Sequence, residues 1–461
     1  MPMTNSCFEK RITLDTGLKE PTVDSWLHTY LKRQDEFPSD RIESLPEPAP
    51  VEDAAQLPAK RSLRHLFAAS TSELTAFISR DGYWSSICVG LGLEAGKSEI
   101  ISIDVVEEHR HDKIRFMLAV AVAEKADTDN DDTGLSFSLR IYGHDIFAKP
   151  YLEQTLFELE KSCQVIPLLH APMQICHTSI KDAEGNNQTA FLLSSNEGVI
   201  HMYIQDPQQL IFREISTASY FPILNRVSDL RIKILFTHIY DRANGQRVIC
   251  TAGQNGEIFL GFYDQDGHEM KSHAIQMFTP ISSVVIFQPR VSKKVREDDG
   301  LHLVITCAIE QAVVYRSIET NGLSRGRILP QSNLYDSVLC SHVMDVDWDG
   351  EMEILIGTYG RQVLIYKQVA GTQDYNVLWR RQFAYPIYRM THLDLNRDGL
   401  DELIVITMYG VHIFQPNMKK TKDRLLKVLQ FVESSKRQKY ELLLELQHQK
   451  EMEKAIVFES S

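Results

Sequence analysis

Paired cysteines are missing from this chain of 461 residues. Its seven cysteines (Cys7, Cys88, Cys163, Cys176, Cys250, Cys307 and Cys340) are odd in number, scattered, and never spaced as CxxC. No disulfide framework or zinc-ribbon pattern is available, and the chain reads as reduced and cytoplasmic. Cys250 and Cys307 stand inside strand-like runs, where a small thiol belongs to the core. Long apolar runs are missing too. None reaches the roughly eighteen residues of a spanning helix, so no transmembrane segment is expected, and Glu9, Lys10 and Arg11 interrupt the start before any signal-peptide core. The sequon Asn187, Gln188, Thr189 then has no role. Basic charge is short: 49 Lys and Arg stand against 62 Asp and Glu, a formal net charge of −13. That argues against a general nucleic-acid binder, which needs a basic face.

Catalytic signatures are equally scarce. The sequence contains neither HExxH nor GxSxG, and its 16 histidines do not fall at metal spacing; Cys176 and His177 are neighbours that read as strand-borne. Gly90 to Ser98 (GLGLEAGKS) approaches a phosphate-binding loop but has the wrong glycine spacing. Ile100, Ile101, Ile103 and Val105 then continue as a strand, whereas a phosphate cradle needs a helix N-terminus. The expectation is a protein that is not an enzyme.

What the chain does have is a repeat. Acid-Gly turns end at Gly185, Gly245, Gly300, Gly350 and Gly399, in steps of 60, 55, 50 and 49 residues. Each is followed by an apolar run, a polar break and a second run that closes on Tyr203, Phe262, Tyr315, Tyr366 or Phe414. The glycines suit the left-handed conformation that such turns demand. Two weaker units precede these five, one with Leu74–Ser79 and Ser86–Val89, the other with Phe116–Val122, a polar loop at 127–133, and Leu135–Tyr142. A period of about fifty residues with several short strands per unit predicts an all-β, seven-bladed propeller over residues 62–415.

The flanks differ. Residues 1–60 lack the repeat and read as a mostly disordered extension, with Trp26, Leu27, Tyr30 and Leu31 on one face of a short helix. Leu45 to Pro50 (LPEPAP) follows as a stiff linker. Past Pro416, residues 416–455 are helix-forming, with stripes at Leu425, Leu429, Val432 and at Leu442, Leu443, Leu446. Residues 416–440 hold eight Lys or Arg against two Asp or Glu. The simplest expectation is an amphipathic helix folded on the propeller; the alternative is a docking helix for an acidic partner or an anionic membrane.

Two turns are rich in oxygen donors. Asp345, Asp347, Asp349 and Glu353 occupy loop positions one, three, five and nine, and Asp394, Asn396, Asp398 and Glu402 do the same in the next unit. Calcium takes six to eight oxygens, which three alternate side chains, a carbonyl and a ninth-position carboxylate supply. An EF-hand is excluded, because Ile356 and Val405 stand at its twelfth position. The spacing resembles the calcium loops of FG-GAP blades, although those end in Asp where this chain has Glu. The competing reading is structural, with Asp and Asn making Asx turns. No other cofactor is implied.

The stretches DSVLCSHVMDVDWDGEMEILIGTYGRQVLIYK (Asp336–Lys367) and HLDLNRDGLDELIVITMYGVHIFQ (His392–Gln415) resemble the kaptin family, as do the shorter PISSVVIF (Pro280–Phe287), QAVVYR (Gln311–Arg316), FLLSSNEGVIHMY (Phe191–Tyr203) and QICH (Gln174–His177). The likeness runs from Ser62 to the C-terminal helix, is most specific in the last third, and does not reach residues 1–60. It implies a non-catalytic propeller subunit of the KICSTOR complex, paired with a second FG-GAP-type propeller protein. That complex recruits the GATOR Rag-GTPase-activating complex to the lysosomal membrane surface and restrains TOR signalling when amino acids or glucose are short. The family also carries an association with F-actin in actin-rich projections, for which Lys419–Lys439 is the one basic candidate.

Overall fold

The computed structural model describes residues 8–15 and 65–459, apart from 81–82, 95, 111–112, 126–133, 147–155, 182–184, 186, 207–208, 243, 290–299, 397 and 408. The Trp26 helix, the LPEPAP linker, the polar loop at 127–133 and the Asp182, Ala183, Glu184 turn lie outside the described residues. The strands form seven antiparallel sheets, as the repeat predicts. Numbered along the chain, the blades have inner strands His65–Ala69, Ser98–Arg110, Pro172–Lys181, Ile234–Asp241, Ile281–Phe287, Val338–Met344 and Ile387–Leu393. Among the described residues, six blades have four strands and blade 1 has three, His65–Ala69, Leu74–Arg80 and Tyr83–Cys88.

The second strands explain why the apolar runs are unbroken. Alternate residues point to opposite faces of a sheet, and each blade is covered on both faces by its neighbours. In blade 5 Leu303 and Ile305 pack toward blade 4, while Val304 packs with Ile354 and Ile356 of blade 6. Leu355 of blade 6 then faces Leu403 and Val405 of blade 7. Seven apolar clusters result, one in each seam, and the seventh sets Leu66, Ala68 and Phe77 of blade 1 against Ile404, Val411 and Ile413 of blade 7. That last cluster closes the ring. The repeated aromatics of the third strands (Tyr203, Phe262, Tyr315, Tyr366, Phe414) are all buried in these seams. Cys250 and Cys307 are buried as expected.

A register slip recurs on the inner strands: between Ile100 and Ser102, Ile234 and Phe236, Ile281 and Ser283, Val338 and Cys340, and Ile387 and Arg389. A bulge of this kind turns the strand and re-aims the next side chain. In blades 2 and 5 that side chain reaches the neighbouring blade: Ile175 N–H donates to Ser102 Oγ at 3.1 Å, and Ser341 N–H to Ser283 Oγ at 3.0 Å.

Three expectations are corrected. The propeller does not begin at residue 62, because Phe8–Asp15 pairs with Gly410–Pro416 as the outer strand of blade 7. An outer strand needs little of the both-faces apolar signature, and this one lacks the turn glycine by which the other units are recognised. Gly300 does not adopt a positive φ, unlike Gly185, Gly245, Gly350 and Gly399. It is kept small by crowding, since a Cβ there would meet Glu319 Oε2 at 2.6 Å. The C-terminal helix spans Met418–Glu459 and does not bury its stripes, with Leu425, Leu429, Val432, Leu442 and Leu443 all exposed. The connection from blade 3 to blade 4 also holds an unanticipated helix, Pro222–Asp229, whose Ile223, Leu224 and Val227 are buried.

Gly357, on the second strand of blade 6, tests the seam. A Cβ at this position would come within 2.6 Å of Ile387 Cγ2 and 2.8 Å of Cys340 Sγ. Gly357→Ala is therefore expected to cost about 1–3 kcal/mol of stability by overpacking, measured by chemical denaturation.

Candidate functional site

The acid loops of blades 6 and 7 join the inner strand to the second strand at the same end of the ring. In blade 6 the backbone is tied by the acids themselves: Gly350 N–H donates to Asp345 Oδ2 at 2.8 Å, Glu351 N–H to Asp349 Oδ1 at 2.9 Å, and Val346 N–H to Glu353 Oε2 at 2.9 Å. Gly350 takes φ +85° and Trp348 φ +57°, so the loop needs two left-handed residues. The carboxylates left over converge on one cation of the chain's own. Lys367 Nζ lies 2.8 Å from Asp347 Oδ2, 2.7 Å from Asp349 Oδ2 and 2.7 Å from Glu353 Oε1. Sequence reasoning missed Lys367, although it stands next to Tyr366, the aromatic of the third strand. Ile354 pairs with Tyr366, which sets Glu353 and Lys367 side by side.

Burial raises the Glu353 carboxyl to about 7, against the pull of Lys367, because the side chain has 0% exposure. Burial alone would push the Lys367 ammonium down, yet its three carboxylate partners hold it above the ordinary lysine value. Burial raises Asp349 too, but the Lys367 hydrogen bond, the Glu351 N–H and the charges of Lys367 and Arg424 together hold it below the usual carboxylate range.

Blade 7 repeats the backbone pattern. Gly399 N–H donates to Asp394 Oδ2 at 3.1 Å, Leu400 N–H to Asp398 Oδ1 at 2.9 Å, and Leu395 N–H to Glu402 Oε2 at 2.8 Å. Asn396 Oδ1 accepts from Asp398 N–H at 2.9 Å. Leu403 pairs with Phe414, so the position of Lys367 is taken by Gln415. Burial lifts the Glu402 carboxyl to about 7, with Asp398 and Asp394 adding to the effect. The turn near Gly245 is no carboxylate cluster: Asp241 pairs with Arg247, and Asn244 Oδ1 accepts from Gln246 N–H at 3.1 Å. One exposed cluster that sequence spacing did not single out, Asp264, Asp266 and His268, closes a hairpin turn in blade 4.

The inner strands surround a central channel of about 1020 Å³, lined in part by Asp104, His177, His238 and Arg389. Cys176 and His177 are strand-borne, as expected. His177 Nδ1 lies 2.7 Å from Asp104 Oδ2, and His342 Nε2 lies 2.6 Å from His392 Nδ1. Burial, aided by Arg389, lowers His238 to about 4; burial, then His392 and Arg389, lowers His342 to about 3, so both rings are neutral at physiological pH. The histidines are far apart along the chain, yet each stands seven or eight residues before a turn glycine. That phase within the repeat is the signal that could have found them.

The two ends of the ring carry different sets of loops. One carries the acid loops. The other, built from the connections between blades and from the turns between second and third strands, carries exposed apolar side chains blade after blade: Leu169 at 94%, Phe278 at 94%, Ile309 at 73% and Leu334 at 65%. Tyr385 and Tyr409 meet edge to face there, with centroids 4.7 Å apart. Isolated exposed apolar residues are ordinary; Phe157 and Leu210, in loops between third and fourth strands, are exposed as well. No helix among the described residues is long and apolar enough to cross a membrane.

Residues 95–426 match the protein family described as KICSTOR complex protein kaptin. The chain belongs to the kaptin family. It is 34% identical over 306 residues to mouse KICSTOR complex protein kaptin, covering 65% of this chain and 69% of the mouse protein. Among solved structures, Sqt1 of Saccharomyces cerevisiae is similar at a TM-score of 0.41 and 12% identity, over 77% of this chain and 81% of that one. The BBS1N chain crystallised with ARL6DN gives a TM-score of 0.37 at 12% identity, over 68% and 91%. Both likenesses are too loose to bear on function.

The Lys367 cluster makes a direct prediction. Removing the ammonium leaves the wholly buried Glu353 beside Asp347 and Asp349 with no positive partner from that side chain. Lys367→Gln is expected to lose about 2–4 kcal/mol, seen as a lower midpoint in urea with an unchanged slope.

Proposed function

We propose that this protein is a non-catalytic scaffold subunit of a KICSTOR-type assembly, holding other subunits together through the apolar end of its propeller. Membership of the kaptin family is the observation that carries this reading. The exposed Leu169 and Phe278 support it, because protein surfaces of this kind are covered by a partner. The partner taken here is the second, FG-GAP-type propeller subunit. A rigid ring suits such a role, since its loops vary over a fixed frame. Within the assembly the expected work is recruitment of the GATOR complex to the lysosomal surface, with restraint of TOR signalling when amino acids or glucose run short.

A second reading rests on a different element. The exposed helix Met418–Glu459 carries Lys419, Lys422, Lys427, Lys436, Arg437 and Lys439, a basic stretch for an acidic filament such as F-actin.

Affinity purification of the full chain from cells tests the first reading: KICSTOR subunits should be recovered stoichiometrically. Leu169→Asp with Phe278→Asp should lose the propeller partner at least tenfold without a change in melting temperature. Recovery of no KICSTOR subunit by the unaltered protein ends the proposal. For the second reading, purified protein should pellet with actin filaments at physiological salt, and absence from the pellet dismisses it.

A further inference from the structure

The acid loops of blades 6 and 7 share a backbone but not a charge balance. In blade 6, Lys367 Nζ fills the space between Asp347, Asp349 and Glu353. Blade 7 has Gln415 at the same position, and its inward carboxylate oxygens are left over. Glu402 is 1% exposed; Oε2 accepts from Leu395 N–H, while Oε1 is buried without a hydrogen-bond partner. Asp394 Oδ1 is likewise buried without one. A buried carboxylate oxygen left unpaired is costly. A single proton on Glu402 would answer one of the two oxygens and leave the other as it is. The donors that remain are all oxygens: Asp394, Glu402, and on the exposed side Asp398 and Asn396, which are now joined Nδ2 to Oδ2 at 3.0 Å.

We propose that the blade 7 loop binds a hard divalent cation, calcium, through Asp394, Asn396, Asp398 and Glu402, and that in blade 6 the Lys367 ammonium does the work of that ion. Calcium is favoured over magnesium because the loop offers flexible oxygen ligands from one turn, whereas magnesium demands a strict octahedron. The inference follows from the sibling loop: Lys367 marks where positive charge sits when this backbone is satisfied, and the neutral Gln415 leaves that place to an external ion. It is independent of which partners the propeller holds.

The test is calorimetric titration of calcium into chelator-treated, full-length protein, with thermal melts alongside. The wild type should take up calcium in the micromolar range and melt several degrees higher when loaded. Gln415→Lys supplies the ammonium that blade 6 already has. It should lose the uptake and no longer respond to calcium in the melt. Asp398→Asn, on the exposed side of the loop, keeps the Oδ1 that accepts from Leu400 N–H and should weaken uptake at least tenfold. A flat titration of the wild type up to millimolar calcium overturns the proposal. Uptake that persists unchanged in both variants does so as well, and assigns the ion elsewhere, for example to Asp264, Asp266 and His268.

Discussion

Apolar packing in the seams is the interaction on which everything else in this molecule depends. No blade has a core of its own; each second strand is apolar on both sides because it has a neighbour on both sides. The arrangement is stable only if the series closes, and Leu66, Ala68 and Phe77 against Ile404, Val411 and Ile413 are what close it. The acid loops, the channel and the apolar end then follow as three regions of one frame: the loops between first and second strands, the inner edge, and the opposite rim.

The acid loops illustrate how a repeat can keep its shape while changing its chemistry. The same hydrogen bonds from Gly350 and Gly399, and from Val346 and Leu395, fix the two turns. One residue on a neighbouring strand, Lys367 or Gln415, then decides whether the turn is electrostatically complete. In blade 6 burial and the ammonium act against each other on Glu353, whereas in blade 7 burial at Glu402 is opposed by the N–H of Leu395 and by its own backbone.

Much of the fold was legible in the residues. The unbroken runs after each turn, the aromatics of the third strands and the seven-fold count all follow from a both-faces-buried strand recurring at a fixed period. Phe8–Asp15 was not legible, because an edge strand has no such signature and its partner lies at the far end of the chain. Neither was Lys367: the loop spacing shows which oxygens gather, but the cation arrives by pairing of strands. His177, His238, His342 and His392 escaped for a related reason, since they are neighbours in phase and not in spacing. The exposure of the C-terminal helix could not be read from its stripes, which look the same whether covered or bare.

The outer strand of the last blade has a consequence for synthesis. Ile12 pairs with Ile413, so one sheet joins segments some 400 residues apart. A ribosome adding about 5–20 residues each second needs tens of seconds to bring the second of them out. Until then the first segment has no sheet to join, and blades 1 to 6 must stack as an open arc with an uncovered flank at either end. The nascent protein is therefore most vulnerable to wrong strand pairing just before translation finishes, and that interval is when a chaperone would have the most to shield.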